Sequence, residues 1–295
     1  MIVHEETQSR SKTVVTQALA SVGDIATLPE VTVKIIEIVE DSRSTVRDLH
    51  EVIKRDPALS TKVLKVVNSA FYGLPGQIAS VDRAIILLGL SAVKNIAIAA
   101  SIARLYRGGK ISSRFTAKDL WRHSVAVGVA SRAIASAAGV VAGLDEIMLA
   151  GLIHDLGLLV ERQAFPEQLA QAIDRCEAGE GDLIALEEQV IGADHQAFGD
   201  ALTAKWRFPR NLRAVIGFHH FPDRLSSELL QLGAIIRTAD ILCCHEKIGF
   251  PLTAHNDEFT QELLDGVGVT ADQLTEVRAS LDSLVNEAEA TLTGQ

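Results

Sequence analysis

Seven residues between positions 123 and 240 of this 295-residue chain carry side chains of the kind that bind metal ions: His123, His154, Asp155, His195, His219, His220 and Asp240. His154-Asp155 interrupts an apolar run, Ile147-Met148-Leu149-Ala150-Gly151-Leu152-Ile153, which resumes as Leu156-Gly157-Leu158-Leu159. A helix that is apolar all round is a buried helix. An ionised carboxylate inside it is costly unless strong partners meet it, and a metal cation is such a partner. Adjacent residues on a helix point about 100° apart. From one helix, His154 and Asp155 can therefore reach a single cation, or Asp155 can bridge to a second. Asp240 repeats the situation as the only carboxylate of the apolar stretch 232–242. His195 shares a stripe with Phe198, Leu202 and Trp206, and Gly199, one turn on, leaves room for another backbone. His219-His220 follows an expected helix over 211–218 and precedes Pro222, and His123 heads a segment rich in Ala and Val.

Each residue alone has a plainer role: a buried histidine is commonly a hydrogen-bonded core residue, and a His-His pair before a proline can be a solvated turn. The joint pattern carries the metal reading, because the seven fall on helices that must pack together. Imidazole and carboxylate donors suit iron first, with manganese, nickel or zinc as alternatives. No CxxC pair accompanies them, which argues against a structural zinc site. Seven donors are too many for one ion with an open position. They suit two divalent or iron-type ions sharing Asp155, which is then the expected catalytic residue.

The elements that must position these side chains read as helices almost throughout, so the expected fold class is all-α. The periodicity predicts a first, loosely docked helix near 10–22. A second opens at Leu28-Pro29-Glu30, a third is capped by Ser44, and a fourth starts at Asp56-Pro57. The segment 71–76 holds two glycines and a proline and reads as a loop shaped by Asn68, Ser69 and Tyr72. Ser80-Val81-Asp82 opens a long apolar segment to about residue 104, with Gly89 as a break. A polar, glycine-containing stretch, 107–113, marks a sub-domain boundary. Beyond it helices are expected near 117–137, 144–161, 165–178, 182–191, 195–206, 210–217, 225–246 and 271–292. The organisation expected is an extension or helix over 1–20, a helical sub-domain over 21–113, a metal-binding helical sub-domain over 114–250 and a C-terminal helical extension over 251–295.

Hydrophobic residues make up 47% of the chain, enough for a sizeable core, while aromatics are only 4%. Alanine and branched aliphatic residues therefore fill the helix contacts. The net charge of −10 argues against a broad nucleic-acid or anionic-membrane surface. Three cysteines, Cys176, Cys243 and Cys244, read as reduced thiols. The polar start MIVHEETQSRSK lacks the apolar core of a signal peptide. The expectation is a cytoplasmic protein with no nucleic-acid or membrane partner. A homodimer is an open option.

The order His123, His154-Asp155, Asp240 resembles the HD superfamily of metal-dependent phosphohydrolases, and His195 with His219-His220 matches the larger ligand set of its HD-GYP branch. Asp56-Pro57-Ala58-Leu59, Val66-Val67-Asn68-Ser69-Ala70-Phe71-Tyr72-Gly73-Leu74-Pro75, Leu120-Trp121-Arg122-His123-Ser124 and Gly192-Ala193-Asp194-His195 resemble the bacterial HDOD domain, an HD-related output domain. The resemblance runs over roughly 21–245. It implies an N-terminal helical bundle packed on an HD-domain-like helical bundle, in a bacterial signalling protein. Many members resemble enzymes that have lost their ligands, whereas this chain keeps the positions. It departs from HD-GYP proteins elsewhere: Leu158 holds the place of the phosphate-contacting Lys, the GYP motif is absent after His220, and Asp119 stands where a Glu can recruit a third ion.

Around the seven, Glu187 and Glu188 are candidates to hydrogen-bond a ligand histidine, Glu188 matching an acidic position common in HDOD sequences. Arg122 is a candidate to meet a phosphate or pair with a carboxylate. Ser124 has no base and orienter to complete a triad. Three readings follow: hydrolysis of a phosphoester or nucleotide, a non-catalytic output module that binds a signalling partner and holds a structural or sensory metal, and, last, di-iron oxygenase-like chemistry.

Overall fold

The computed structural model describes residues 2–23, 28–40, 43–69, 72, 74 and 76–293. Among them there is no strand; the one extended pairing is a bridge between Lys110 and Thr116. The all-α expectation holds.

The first half is a bundle of α1 (Ile2–Ser21), α2 (Glu30–Glu40), α3 (Val46–Ile53), α4 (Pro57–Val67), α5 (Val81–Leu88) and α6 (Leu90–Ile102). Local chemistry sets its breaks. Asp56 caps α4, with Pro57 in the first turn, where its missing N–H costs nothing. Ser80 caps α5, and Gly89, at φ +89°, separates α5 from α6. The cap of α3 is Thr45 rather than Ser44, because Asp48 three residues on returns a bond to the Thr45 backbone and completes a capping box. Asn68 binds Ile78 at both its N–H and its C=O, closing the turn between α4 and α5. Tyr72 reaches Asp145 of the second half at 3.0 Å. Residues 71, 73 and 75 of the expected 71–76 loop lie outside the described residues. α1 is longer than expected and firmly docked: Val15 and Ala18 are buried, and the helix packs on the second half.

The second half comprises α7 (Ala117–Ala137), α8 (Leu144–Ile153), α9 (Leu156–Ala164), α10 (Pro166–Glu177), α11 (Leu183–Val190), α12 (His195–Lys205), α13 (Arg210–Phe218), α14 (Leu230–His245), α15 (Gln261–Val267) and α16 (Ala271–Thr293). The stretch 107–113 folds back on itself, with Ile111 N–H bonding Phe115 C=O. α7 and α8 touch backbone to backbone: a Cβ on Gly151 would stand 2.8 Å from the Val127 carbonyl oxygen. The expected single helix over 144–161 is two, broken at Asp155 (φ −97°, ψ +19°). The break lets α9 run under the start of α12, where Gly157 lies against the His195 carbonyl and a Cβ would come within 2.9 Å of Gly199 N. The helix expected from 225 starts at Leu230, since Pro222–Arg224 forms a 3-10 turn. α15 was not expected. It is a short helix capped by Thr260 that buries Leu263, Leu264 and Val267.

α16 settles where the C-terminal segment goes. It packs on α7 of the second half and on α4 and α6 of the first, burying Leu281, Val285, Ala288 and Leu292. No helix among the described residues is long and apolar enough to cross a membrane.

Candidate metal centre

His154 and His219 are held by one device used twice. Each is the residue just past the end of its helix, α8 and α13, where backbone carbonyls lack an intrahelical partner. His154 Nδ1–H donates to Gly151 C=O at 2.7 Å, and His219 Nδ1–H to Ile216 C=O at 2.8 Å. A carbonyl only accepts, so the proton sits on Nδ1 and the Nε2 lone pair points inward. His195, the first residue of α12, is aimed by Glu187 of α11, which accepts from its Nδ1–H at 2.8 Å and its backbone N–H at 3.0 Å. His220 N–H donates to Gln196 Oε1 at 3.1 Å, and its C=O accepts from Arg237. His123 comes from α7 and Asp240 from α14. All seven residues are at most 2% exposed.

The seven converge in two sets joined by Asp155. Its Oδ1 lies 3.5 Å from both His195 Nε2 and His219 Nε2. Its Oδ2 lies 3.2 Å from His154 Nε2 and 3.7 Å from His123 Nε2. His123 Nε2 is in turn 3.1 Å from Asp240 Oδ1, and His195 Nε2 is 2.9 Å from His220 Nε2. The ligand-type atoms of Asp155, His195, His219 and His220 form one compact group, and those of His123, His154 and Asp240 a second.

The donors fit metal ions. His154 Nε2, His219 Nε2, both Asp155 oxygens and Asp240 Oδ2 are buried with no hydrogen-bond partner. Lone pairs facing lone pairs at about 3 Å are tolerable only with a proton or cation between them. Donors about 2.1 Å from a shared ion lie roughly 3–4 Å apart, which matches the separations above. Electrostatics point the same way. Burial alone would raise the carboxyls of Asp155 and Asp240, yet His154, His219 and His195 around the first, and His123 and His154 around the second, hold both well below the usual carboxylate range. Burial opposes protonation of His154 and His195. It is outweighed by Asp155 and Asp240 at His154, raised to about 10, and by Glu187 at His195, raised to about 9. A pocket that attracts protons this strongly attracts cations. His219 and His220 are pushed down by burial first, and His220 then by its neighbours His219 and His195, so both stay neutral donors.

Several residues stand differently from expectation. His154 and Asp155 occupy a helix junction, not one helix interior, so Asp155 turns both oxygens inward. Glu187, not Glu188, holds the ligand histidine: Glu187 lies on the apolar stripe of α11 with Leu183, and Glu188 is exposed. Of its two expected roles Arg122 takes the carboxylate pairing, binding Glu289, with Asn286 beside it. Asp119 closes a capping box with Thr116, its carboxylate accepting from the Thr116 N–H and hydroxyl. Ser124 donates to Tyr106. Leu158 is buried in the core.

Other residues of the centre were not anticipated. Thr253, from the loop after α14, donates to Asp240 Oδ1 at 2.9 Å and stands 3.1 Å from His123 Nε2. Arg237 ties that loop down through the carbonyls of His255, at 3.0 Å, and Asn256, at 3.2 Å. Glu161 is fully buried beside Glu187; burial first, then the Glu187 charge, pushes its carboxyl well above the usual range, and burial raises Glu187 as well, against the pull of His195. Thr253 sits in a loop with no periodicity to mark it. Glu161 could have been found as a carboxylate on an otherwise apolar turn, Leu158-Leu159-Val160.

The family profile of the HDOD domain matches residues 25–222. This chain belongs to the HDOD family. Among solved structures it is similar to an HDOD domain protein of unknown function from Geobacter sulfurreducens, with a TM-score of 0.76 at 22% identity, over 94% of this chain and 98% of that one. It is also similar to a protein provisionally assigned to signal transduction from Marinobacter aquaeolei, with a TM-score of 0.77 at 20% identity, over 98% of this chain and 66% of that one. A third HDOD-like fold, provisionally named a phosphohydrolase, comes from Shewanella amazonensis, with a TM-score of 0.73 at 23% identity, over 95% and 98%. These identities speak for the HDOD fold. An uncharacterized protein from Treponema pallidum is 27% identical over 224 residues, 75% of this chain; the match spans 42% of that relative's length.

Proposed function

We propose that this HDOD protein is a bacterial signalling module whose centre binds two metal ions, iron first, and hydrolyses a phosphoester or nucleotide. The observation that carries the reading is the division of Asp155, one oxygen toward His195 and His219 and the other toward His154 and His123. Two bound cations would supply an acidified water and neutralise charge on phosphate oxygens. The chain's own residues do the rest. Glu187, Gly151 C=O and Ile216 C=O fix the imidazoles so that no reorganisation is needed when an anion arrives. Asp155 sets the spacing of the two sets. The loop carrying Thr253 excludes water and must lift for a substrate to enter, releasing the Arg237 bonds. The test is elemental analysis of purified full chain, followed by assay with p-nitrophenyl phosphate and nucleotides after loading with iron, manganese, nickel or zinc. Two ions per chain and turnover that Asp155→Ala abolishes are expected. Fewer than one ion per chain under all four metals removes the reading.

A second reading has its own observation. The centre is sealed, with Thr253 inside it and Leu158 where HD-GYP proteins place a lysine. On this reading the metal is structural or sensory, and the module acts by binding a partner protein. Two ions per chain, inactivity across the panel, and capture of a defined signalling partner regardless of metal would select it.

A further inference from the structure

The loop between α14 and α15 brings the His123 set one more donor than the seven residues supply. Thr253 is 1% exposed, and its Oγ1 lies 2.9 Å from Asp240 Oδ1 and 3.1 Å from His123 Nε2. His123 Nε2 and Asp240 Oδ1 are themselves 3.1 Å apart. The three atoms, from α7, α14 and the loop, form a nearly equilateral triangle. Donors at right angles around one ion, each about 2.1 Å from it, lie about 3.0 Å apart. The triangle therefore has the dimensions of one face of an octahedral site. A hydroxyl that served Asp240 alone would need to be near that oxygen only, yet Thr253 is almost as near the imidazole. A hydroxyl has one hydrogen to give and two lone pairs, so it can donate to a carboxylate and still meet a cation.

The loop is built to hold Thr253 in that place. Gly249, at φ +72°, lies backbone to backbone against α7 at His123: a Cβ there would press on the Asp119 carbonyl and stand 2.6 Å from His123 N. Phe250 is fully buried and packs edge to face on Phe115, with ring centroids 5.0 Å apart. On the other side of Thr253, Arg237 binds the carbonyls of His255 and Asn256. The hydroxyl is thus fixed from both directions along the chain.

We infer that Thr253 is a ligand of the metal ion held by His123, His154 and Asp240, its hydroxyl oxygen filling a position that water would otherwise take. The inference rests on the reading that the centre binds metal. With Asp155 Oδ2 counted, the His123 set then offers five protein donors: His123, His154, Asp155, Asp240 and Thr253. The other set offers four, Asp155 Oδ1, His195, His219 and His220. The two ions are therefore unequal. The one beside Thr253 is closer to saturation by the protein, and the one beside His195 keeps more positions open. An arriving anion meets the His195 side first, and the position under Thr253 opens only when the loop carries the hydroxyl away.

The test uses the full chain loaded with zinc and needs no turnover. Thr253→Val removes the hydroxyl at nearly constant volume and should weaken binding of one of the two ions by at least about tenfold, whereas Thr253→Ser should bind both as the unaltered chain does. A lost hydrogen bond to Asp240 could also weaken binding, so a second measurement asks whether the side chain at 253 touches the ion. Thr253→Cys is made in a Cys244→Ala background, because the Cys244 sulfur lies 3.6 Å from Thr253 Oγ1 and would otherwise compete or form a disulfide. X-ray absorption of the zinc-loaded double variant should show a metal–sulfur distance of about 2.3 Å that Cys244→Ala alone lacks. Circular dichroism verifies each fold, and the Val and Ser pair decides by itself should the double variant fail to fold. Two bound ions without that metal–sulfur distance, or unchanged zinc affinity in Thr253→Val, overturn the inference and leave the metal reading standing. An unaltered chain that takes up no zinc removes both.

Discussion

Glu187 grips His195 twice, through the ring Nδ1–H at 2.8 Å and the backbone N–H at 3.0 Å, so a single carboxylate sets both where the ring sits and which way its Nε2 points. No other candidate ligand is tied by side chain and main chain to one partner. This makes Glu187 the natural lever on the His195, His219 and His220 set.

Glu187→Gln should therefore weaken binding of one metal ion by roughly 10- to 100-fold, the usual cost of losing such a partner. Glu188→Gln, one residue on and exposed, should leave binding unchanged. Metal titration with stoichiometry by elemental analysis separates the two. Equal effects would mean that Glu187 has only a packing role.

Gly157→Ala tests the approach of α9 to α12. The added methyl meets the His195 carbonyl, a backbone group that cannot swing aside. The expected cost is about 1–3 kcal/mol or more, read by denaturant unfolding, together with a lowered metal affinity because the helix carrying His195 must shift.

The metal-free protein should show an unusual pH profile. His154 and His195 are raised from an ordinary 6.5 to about 10 and about 9. A folded state that binds protons more tightly than the unfolded chain is stabilised while the unfolded chain is still deprotonating. That contribution is full below about pH 6.5 and disappears as pH rises through 9 and 10. Thermal midpoints of metal-free protein should fall across this window. Metal-loaded protein, whose cations replace those protons, should not show the fall, and metal affinity should rise with pH over the same range as proton competition is lost.

Arg237→Ala should loosen the loop that carries Thr253. The loop then loses its bonds to the His255 and Asn256 carbonyls, and His220 C=O loses its donor. A chelator should extract bound metal several-fold faster, while equilibrium affinity changes less. Unaltered extraction kinetics would show that metal leaves by another route.

Most of this was legible from the sequence because helices announce themselves by period and by cap. Asp56-Pro57, Ser80 and Gly89 mark their boundaries with local chemistry, and the structure uses them as expected. The seven candidate ligands stood out because histidine and aspartate are conspicuous in apolar runs. What stayed hidden depends on tertiary contact. The break at Asp155 carries no proline to mark it, and it coincides with a tertiary feature, the close approach of Gly157 to α12. Thr253 is one threonine in an irregular loop. Glu187 and Glu188 differ by 100° around a helix, and choosing between them requires knowing which face α11 buries, which Leu183 and Leu186 do indicate.

The paired device at the ends of α8 and α13 turns helix length into a measuring rod. His154 and His219 are each pinned to the carbonyl three residues back, so each ring is placed by where its helix stops. Adding or deleting a single residue between Leu144 and Ile153, or between Arg210 and Phe218, would rotate the helix end by about 100° and shift it by about 1.5 Å. The surface loops can absorb such changes during divergence. These two helices have no such freedom: the number of residues in them, apart from their identities, is part of the site.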